Sequence, residues 1–208
     1  MNGSHTIPNM KFKFVTLKNY AGFTLIELMV TVAIAAILAA LAAPSLGEFS
    51  VRNKLTSIGN DFSGSVLRAR NEAIGKNTCV TMCMSSTIDN DQPVCATSGQ
   101  DWQIGWIVFL NPACDSSLTK PKKISDGSYS DEDLILIRRP VGGEYYLKAQ
   151  DSRRTLFFNS RGNSRLSDAD NFRFLYRTIS DPLSIKYGFN ICLDAVGRTR
   201  TIPAGTAC

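Results

Sequence analysis

The chain has 208 residues, 44% of them hydrophobic and 20% charged, which excludes an intrinsically disordered protein and leaves room for one ordinary domain plus an extension. Its formal charge of +5 is unevenly spread: residues 77–137 carry three basic and eight acidic side chains, residues 138–208 twelve and six. An ordinary solvated surface accounts for this asymmetry as readily as a field aimed at an anionic partner. Residues 1–22 are polar and basic, with Lys11, Lys13 and Lys18. Phe23 to Ala43 then form a nearly unbroken apolar run, FTLIELMVTVAIAAILAALAA. At helical rise such a run covers about 30 Å, the thickness of bilayer hydrocarbon. Lysines before it and none within it orient the N-terminus toward the cytoplasm. A cleaved secretory signal or a plain single-span anchor would share these features, but the first is normally shorter and neither explains Glu27. A carboxylate four residues into a membrane helix costs a few kcal/mol and needs a partner.

Gly22-Phe23-Thr24-Leu25-Ile26-Glu27 resembles the cleavage motif of type IV prepilins. The resemblance implies a prepilin peptidase that cuts after Gly22 and methylates the new N-terminus at Phe23. It also implies that Glu27 meets the cationic amine of a neighbouring subunit, a pair tolerated in an apolar bundle where either charge alone would be expensive. Pro44 falls where that family's long helix is kinked. The domains expected on this basis are a leader over 1–22, a transmembrane and filament-core helix over 23–43, an amphipathic continuation over 44–76 and a periplasmic β-rich domain over 77–208. Met10 offers an alternative start that would leave a 13-residue leader holding all three lysines.

Past Pro44, Leu55, Ile58, Phe62, Val66, Ala69 and Ala73 recur at steps of three and four, which stacks them on one helical face, with Arg52, Lys54, Asp61, Arg68 and Arg70 on the rest. Gly47, Gly59 and Gly64 each weaken such a helix by up to about 1 kcal/mol relative to alanine. Beyond Gly75 the period changes to that of strands over 78–84, 103–110, 133–137, 144–149, 155–159, 172–176 and 185–193. One long helix followed only by strands predicts an α+β fold, an antiparallel sheet packed on the helix's apolar face. Trp102 and Trp106 straddle a strand start and read as core. Polar residues 115–132 read as a loop.

Six cysteines, at 79, 83, 95, 114, 192 and 208, lie beyond the apolar segment, an even count that points to disulfides in an oxidising compartment. The rival reading is zinc, which scattered spacing and the lack of any histidine after His5 disfavour. Fifteen pairings are possible; the preferred set joins Cys83 to Cys95 across a turn and Cys192 to Cys208, leaving Cys79 with Cys114. The same lack of histidine removes Ser-His and Cys-His chemistry, and no Gly-rich phosphate loop or metalloprotease motif is present, so no enzyme, cofactor or metal is expected.

Inside the last cysteine loop lies Gly197-Arg198-Thr199-Arg200, readable as a hairpin with two outward arginines and Thr199 on the opposite face. With FFNSRGNSR upstream (Phe157, Phe158, Gly162), this end resembles the GspH/FimT family of minor pilins and pseudopilins; residues 85–130 carry no resemblance. The resemblance implies a type IV pilin fold and a single-pass inner-membrane protein passed by an assembly platform into a filament with other pilins. In the FimT branch the Gly-Arg-x-Arg segment is linked to binding of incoming double-stranded DNA in transformation. Arg198 and Arg200, with Gly197 in the turn, are then the candidate DNA contacts, and Arg153, Arg154, Arg161, Arg165, Arg173 and Arg177 add basic charge nearby. The alternative is a structural initiator subunit of a type IV pilus or a type II secretion pseudopilus, without DNA binding.

Overall fold

The computed structural model describes residues 22–90, 93–121, 133–164 and 170–208. Most of the expected leader, Met10, Arg165 and the second half of the 115–132 loop lie outside the described residues.

Helix α1 spans Leu25–Gly75. Its start follows from sequence: the Glu27 amide donates to the Thr24 hydroxyl, 3.3 Å, and Glu27 places an acid in the first turn, as a Thr-x-x-Glu capping pattern requires. The chain divides into two compact units, 1–44 and 45–208. In the first, every described side chain from Gly22 to Ala43 is exposed, Phe23 at 82%, and the helix is long and apolar enough to cross a membrane.

The second unit builds its core on the other part of α1. Strands β1 (Val80–Met84), β2 (Trp106–Leu110), β3 (Leu134–Arg138) and β5 (Thr155–Phe158) make one sheet, ordered β3-β2-β1-β5. Strands β4 (Tyr145–Ala149), β6 (Asp170–Tyr176), β7 (Phe189–Leu193) and β8 (Thr199–Pro203) make another, ordered β4-β6-β7-β8. All pairs are antiparallel. The antiparallel sheet expected on the helix is present and is divided into two, because β4 crosses past β5 to pair with β6. Both sheets press on the helix stripe: Leu55, Ile58, Phe62, Val66, Ala69 and Ala73 are each buried to 1% or less. Phe62 sits at the centre, its ring within 6.0 Å of the Trp102, Trp106, Phe172 and Phe174 rings, mostly edge-on as aromatic quadrupoles prefer. Both tryptophans are core residues; Trp106 Nε1 donates to Ser65 Oγ at 3.0 Å and Trp102 Nε1 to the Arg153 carbonyl at 2.9 Å.

Two further strand expectations change. Residues 185–187 belong to helix α2 (Pro182–Tyr187), because Asp181 caps the Leu183 amide and Pro182 opens the first turn. Residues 103–104 belong to a 3₁₀ turn, Trp102–Ile104, capped by Asp101 and ended by Gly105 at φ 111°. Gly59 lets α1 pack closely on β7: a Cβ there would lie 2.5 Å from the Phe189 ring. On the far side of the first sheet Cys83, Ile107 and Phe109 pack with Ile88 and Cys95.

Candidate functional site

Three disulfides lie in the second unit. Cys79–Cys114 (S–S 2.03 Å) and Cys83–Cys95 (1.98 Å) fasten the segments beyond β1 and β2, and Cys192–Cys208 (2.10 Å) ties the C-terminal segment to β7. All six cysteines are bonded and, among the described residues, no group of metal-binding side chains exists.

β7 and β8 form a hairpin in register Cys192↔Arg200 and Leu193↔Thr199. Its turn is closed by the Gly197 amide donating to the Asp194 carbonyl, 2.9 Å, and the Asp194 amide to the Arg198 carbonyl, 3.0 Å. Gly197 adopts φ +76°, where side chains are strained, and a Cβ would lie 2.4 Å from the Gly162 carbonyl oxygen. That close approach brings together the two segments on which the C-terminal resemblance rests. Ser164 docks the upstream turn, its amide donating to the Ala195 carbonyl at 3.0 Å and its hydroxyl to the Asp194 carbonyl at 2.8 Å. From α1, Arg70 Nε donates to both the Gly162 carbonyl (3.1 Å) and the Val196 carbonyl (3.2 Å).

Arg198 and Arg200 are both exposed and line one surface depression with Cys192, Asp194, Thr199 and Cys208. Arg198 and Thr199 also border a depression on the helix side, beside Ser63, Gly64 and Leu67. Neither arginine is wholly free. Arg198 Nε meets Asp194 Oδ2 at 3.1 Å and its amide donates to Oδ1 at 2.8 Å. Burial works to raise the Asp194 carboxyl, but the Arg198 hydrogen bonds and charge outweigh it and hold the group below its usual range. Arg200 Nη2 donates to the Cys208 backbone oxygen, 2.6 Å, so the disulfide-tied segment steadies the guanidinium from one side. Each arginine keeps donors for a further anion.

Part of the surrounding basic charge is paired. Arg153 meets Asp170, Arg177 meets Glu144, Arg139 meets Asp89 and Arg138 lies 3.7 Å from Asp61. Burial lowers the Arg138 pKa, opposed by Asp61, while its guanidinium stacks 4.4 Å over Trp106. Arg154 donates to the Gly99 carbonyl and Arg161 is exposed. Asp194 and Arg70 do not stand out in the sequence. Asp194 carries a local signal, an acid four residues before Arg198; Arg70 carries none, since its partners lie 92 and 126 residues away.

In the first unit, Gly22 and Phe23 precede α1 and Glu27 stands exposed in its first turn.

Comparison with known proteins finds family matches over two stretches of the chain, 17–43 and 59–197. The prokaryotic N-terminal methylation motif matches residues 17–43, which include Gly22, Phe23 and Glu27. The family described as type II transport protein GspH matches residues 59–197. Among solved structures, the type IV minor pilin FimU of Pseudomonas aeruginosa superimposes in one crystal form with a TM-score of 0.52 at 15% identity, covering 77% of this chain and 96% of that one. A second crystal form gives 0.46 at 13%, covering 76% and 95%. No curated protein sequence matches. The methylation motif, the 59–197 match and the shared pilin fold establish that this chain is a type IV pilin-like protein of the GspH family.

Proposed function

We propose that this protein is a minor pilin whose C-terminal loop holds the backbone of double-stranded DNA during natural transformation. In this reading prepilin peptidase cuts between Gly22 and Phe23 and methylates Phe23. The apolar helix over 23–43 first anchors the chain in the inner membrane. It then enters a filament in which Glu27 pairs with the amine of a neighbouring subunit. The observation that supports the DNA role is the pair Arg198 and Arg200, exposed on one depression of a disulfide-tied hairpin whose turn is braced by Gly162 and Arg70. A guanidinium forks onto phosphate, and a preformed loop spends little ordering entropy on binding.

A second reading has its own observation. Asp194 and the Cys208 backbone oxygen already engage the two arginines, as they would in a loop whose arginines only fasten the fold of a structural subunit in a pilus or secretion pseudopilus.

The two separate in one titration. Full-length protein in neutral detergent, disulfides intact, is titrated with duplexes of two unrelated sequences over a range of salt, beside Arg198→Ala/Arg200→Ala. Sequence-indifferent binding is expected, with the slope of log K against log[salt] falling by about 1.8 in the variant, roughly 0.9 for each phosphate that the protein no longer neutralises. Binding that the variant leaves intact, or none by the wild type even at low salt, sinks the DNA reading and leaves the structural one.

A further inference from the structure

The second sheet has an outward face that the hairpin does not exhaust. Along β6, Phe172 and Phe174 enter the core, so Arg173 points away from it; along β4, Leu147 and Ala149 enter and Lys148 points away. The register places Lys148 directly opposite Arg173, Arg173 opposite Asn190, and Asn190 opposite Ile202. The adjacent row runs Asn171, Cys192, Arg200. Arg200 therefore shares one face with Lys148 and Arg173. Three strand spacings, about 14 Å, separate β8 from β4.

Two like charges directly opposite across an antiparallel pair are destabilising. Such pairs are usually relieved by a carboxylate, yet among the described residues the ion pairs of this region engage Arg153, Arg177 and Arg198, not Lys148 or Arg173. Lys148 instead lies 5.2 Å over the Tyr146 ring. Around the pair the surface sinks into a groove that also takes in Gln100, Gln150, Arg177 and Thr178, every one a hydrogen-bond donor and none a carboxylate. Between this groove and Arg200 lies the C-terminal segment, held by Asn190 Nδ2 donating to the Thr206 carbonyl at 3.1 Å. Its exposed residues there, Gly205, Thr206 and Ala207, are small and uncharged. An anionic strand can cross them without meeting an acidic side chain.

We infer that Lys148 and Arg173 form a second phosphate-binding patch, so that one duplex held at Arg198 and Arg200 continues across the outer face of the sheet to the β4 side. This rests on the DNA reading above and extends it: about 14 Å along the duplex axis spans roughly four phosphates of one strand. Lys148–Arg173 repulsion is the structural cost of a site that only an anion completes.

The test adds Lys148→Ala/Arg173→Ala to the salt titration, again on the full chain in neutral detergent, with Lys148→Arg/Arg173→Lys as the charge-keeping control. The alanine pair is expected to lower the log–log salt slope by about 1.8 while the control keeps it. Thermal unfolding without DNA should be unchanged or move upward in the alanine pair, because a repulsive pair is removed. A wild-type slope in the alanine pair, where Arg198→Ala/Arg200→Ala loses binding, overturns this patch and leaves the hairpin site standing. A lowered Tm in the alanine pair makes the two residues structural and overturns it as well. Absence of DNA binding by the wild type removes both sites together. Vesicles containing phosphatidylserine form the remaining arm: capture by them that needs Lys148 and Arg173, without DNA binding, assigns the patch to lipid headgroups and overturns the inference.

Discussion

Helix α1 carries two apolar surfaces that meet opposite fates. From Phe23 to Leu41 the large hydrophobic side chains are 50–82% exposed among the described residues. From Leu55 to Ala73 a narrower stripe is buried to 1% or less beneath two sheets. One helix therefore has a stretch left without apolar neighbours among the described residues, and a stretch whose neighbours the second unit supplies itself. The difference is visible in pattern: the first is apolar all round, the second only on one face.

Truncating the second stripe breaks the comparison most forcefully. Phe62→Ala should cost about 3–5 kcal/mol of stability, since the ring fills the space between two tryptophans and two phenylalanines. Leu38→Ala, at a side chain 62% exposed, should leave unfolding of the second unit unchanged. Denaturant titration followed by tryptophan fluorescence reads both, because Trp102 and Trp106 adjoin Phe62. Equal losses from the two substitutions would mean that the first stretch is also packed within the chain.

Glu27 sharpens the same contrast. A carboxylate near the end of a membrane span costs less than the ~2.5–3.5 kcal/mol found for charges at the centre, so Glu27→Leu should favour membrane insertion by about 1–2 kcal/mol. Under the proposed pairing, filament incorporation should fall nonetheless, because Glu27 would no longer be there to meet the neighbouring amine. Quantifying inserted and filament-borne protein in the same cells checks both; unchanged incorporation would end the pairing role.

Gly197 tests the site rather than the core. With φ at +76° and the Gly162 carbonyl 2.4 Å from where a Cβ would sit, Gly197→Ala should cost about 1–3 kcal/mol and loosen the turn that presents Arg198. Amide exchange at Gly197 and Arg198 measures that loosening, and protection equal to the wild type would show the turn tolerates a side chain.

These residues also show what can be read in advance. The stripe from Leu55 to Ala73 is legible because steps of three and four have one physical meaning, and the strands because β-branched and aromatic runs end at turn residues. The division into two sheets is not: it depends on β4 choosing β6 over its sequence neighbour β5, a long-range choice that alternation does not encode. Helix α2 is hidden by Ile185 and Tyr187, which suit a strand, while the deciding signal is Asp181-Pro182 just before them. In the site, the two arginines and the turn glycine stand out as a motif. Arg70, which braces them, sits on a helix flank among other basic residues, and the Lys148–Arg173 opposition exists only once register is known.

The smallest effect lies at Glu48, on the surface of α1 in the second unit that meets α2. Its carboxylate accepts from Lys186 Nζ at 2.6 Å and from the Tyr187 hydroxyl at 2.8 Å, both on α2. The Lys186 hydrogen bond, then that from Tyr187, holds the Glu48 carboxyl below its usual 4.5, and the same bond to Glu48 holds Lys186 above its usual 10.5. A depressed acid contributes stability that is present above its unfolded pKa and lost as pH falls through the folded one; a raised base contributes below its unfolded pKa and loses it as pH rises through the folded one. The pairing is therefore at full strength between about pH 5 and 10 and fades on either side. Because the pair is exposed, the difference between wild type and Glu48→Gln should be small at pH 7, shrink with added salt and shrink again toward pH 3. A difference that stays constant from pH 7 to pH 3 would show that Glu48 holds α2 by packing rather than by charge.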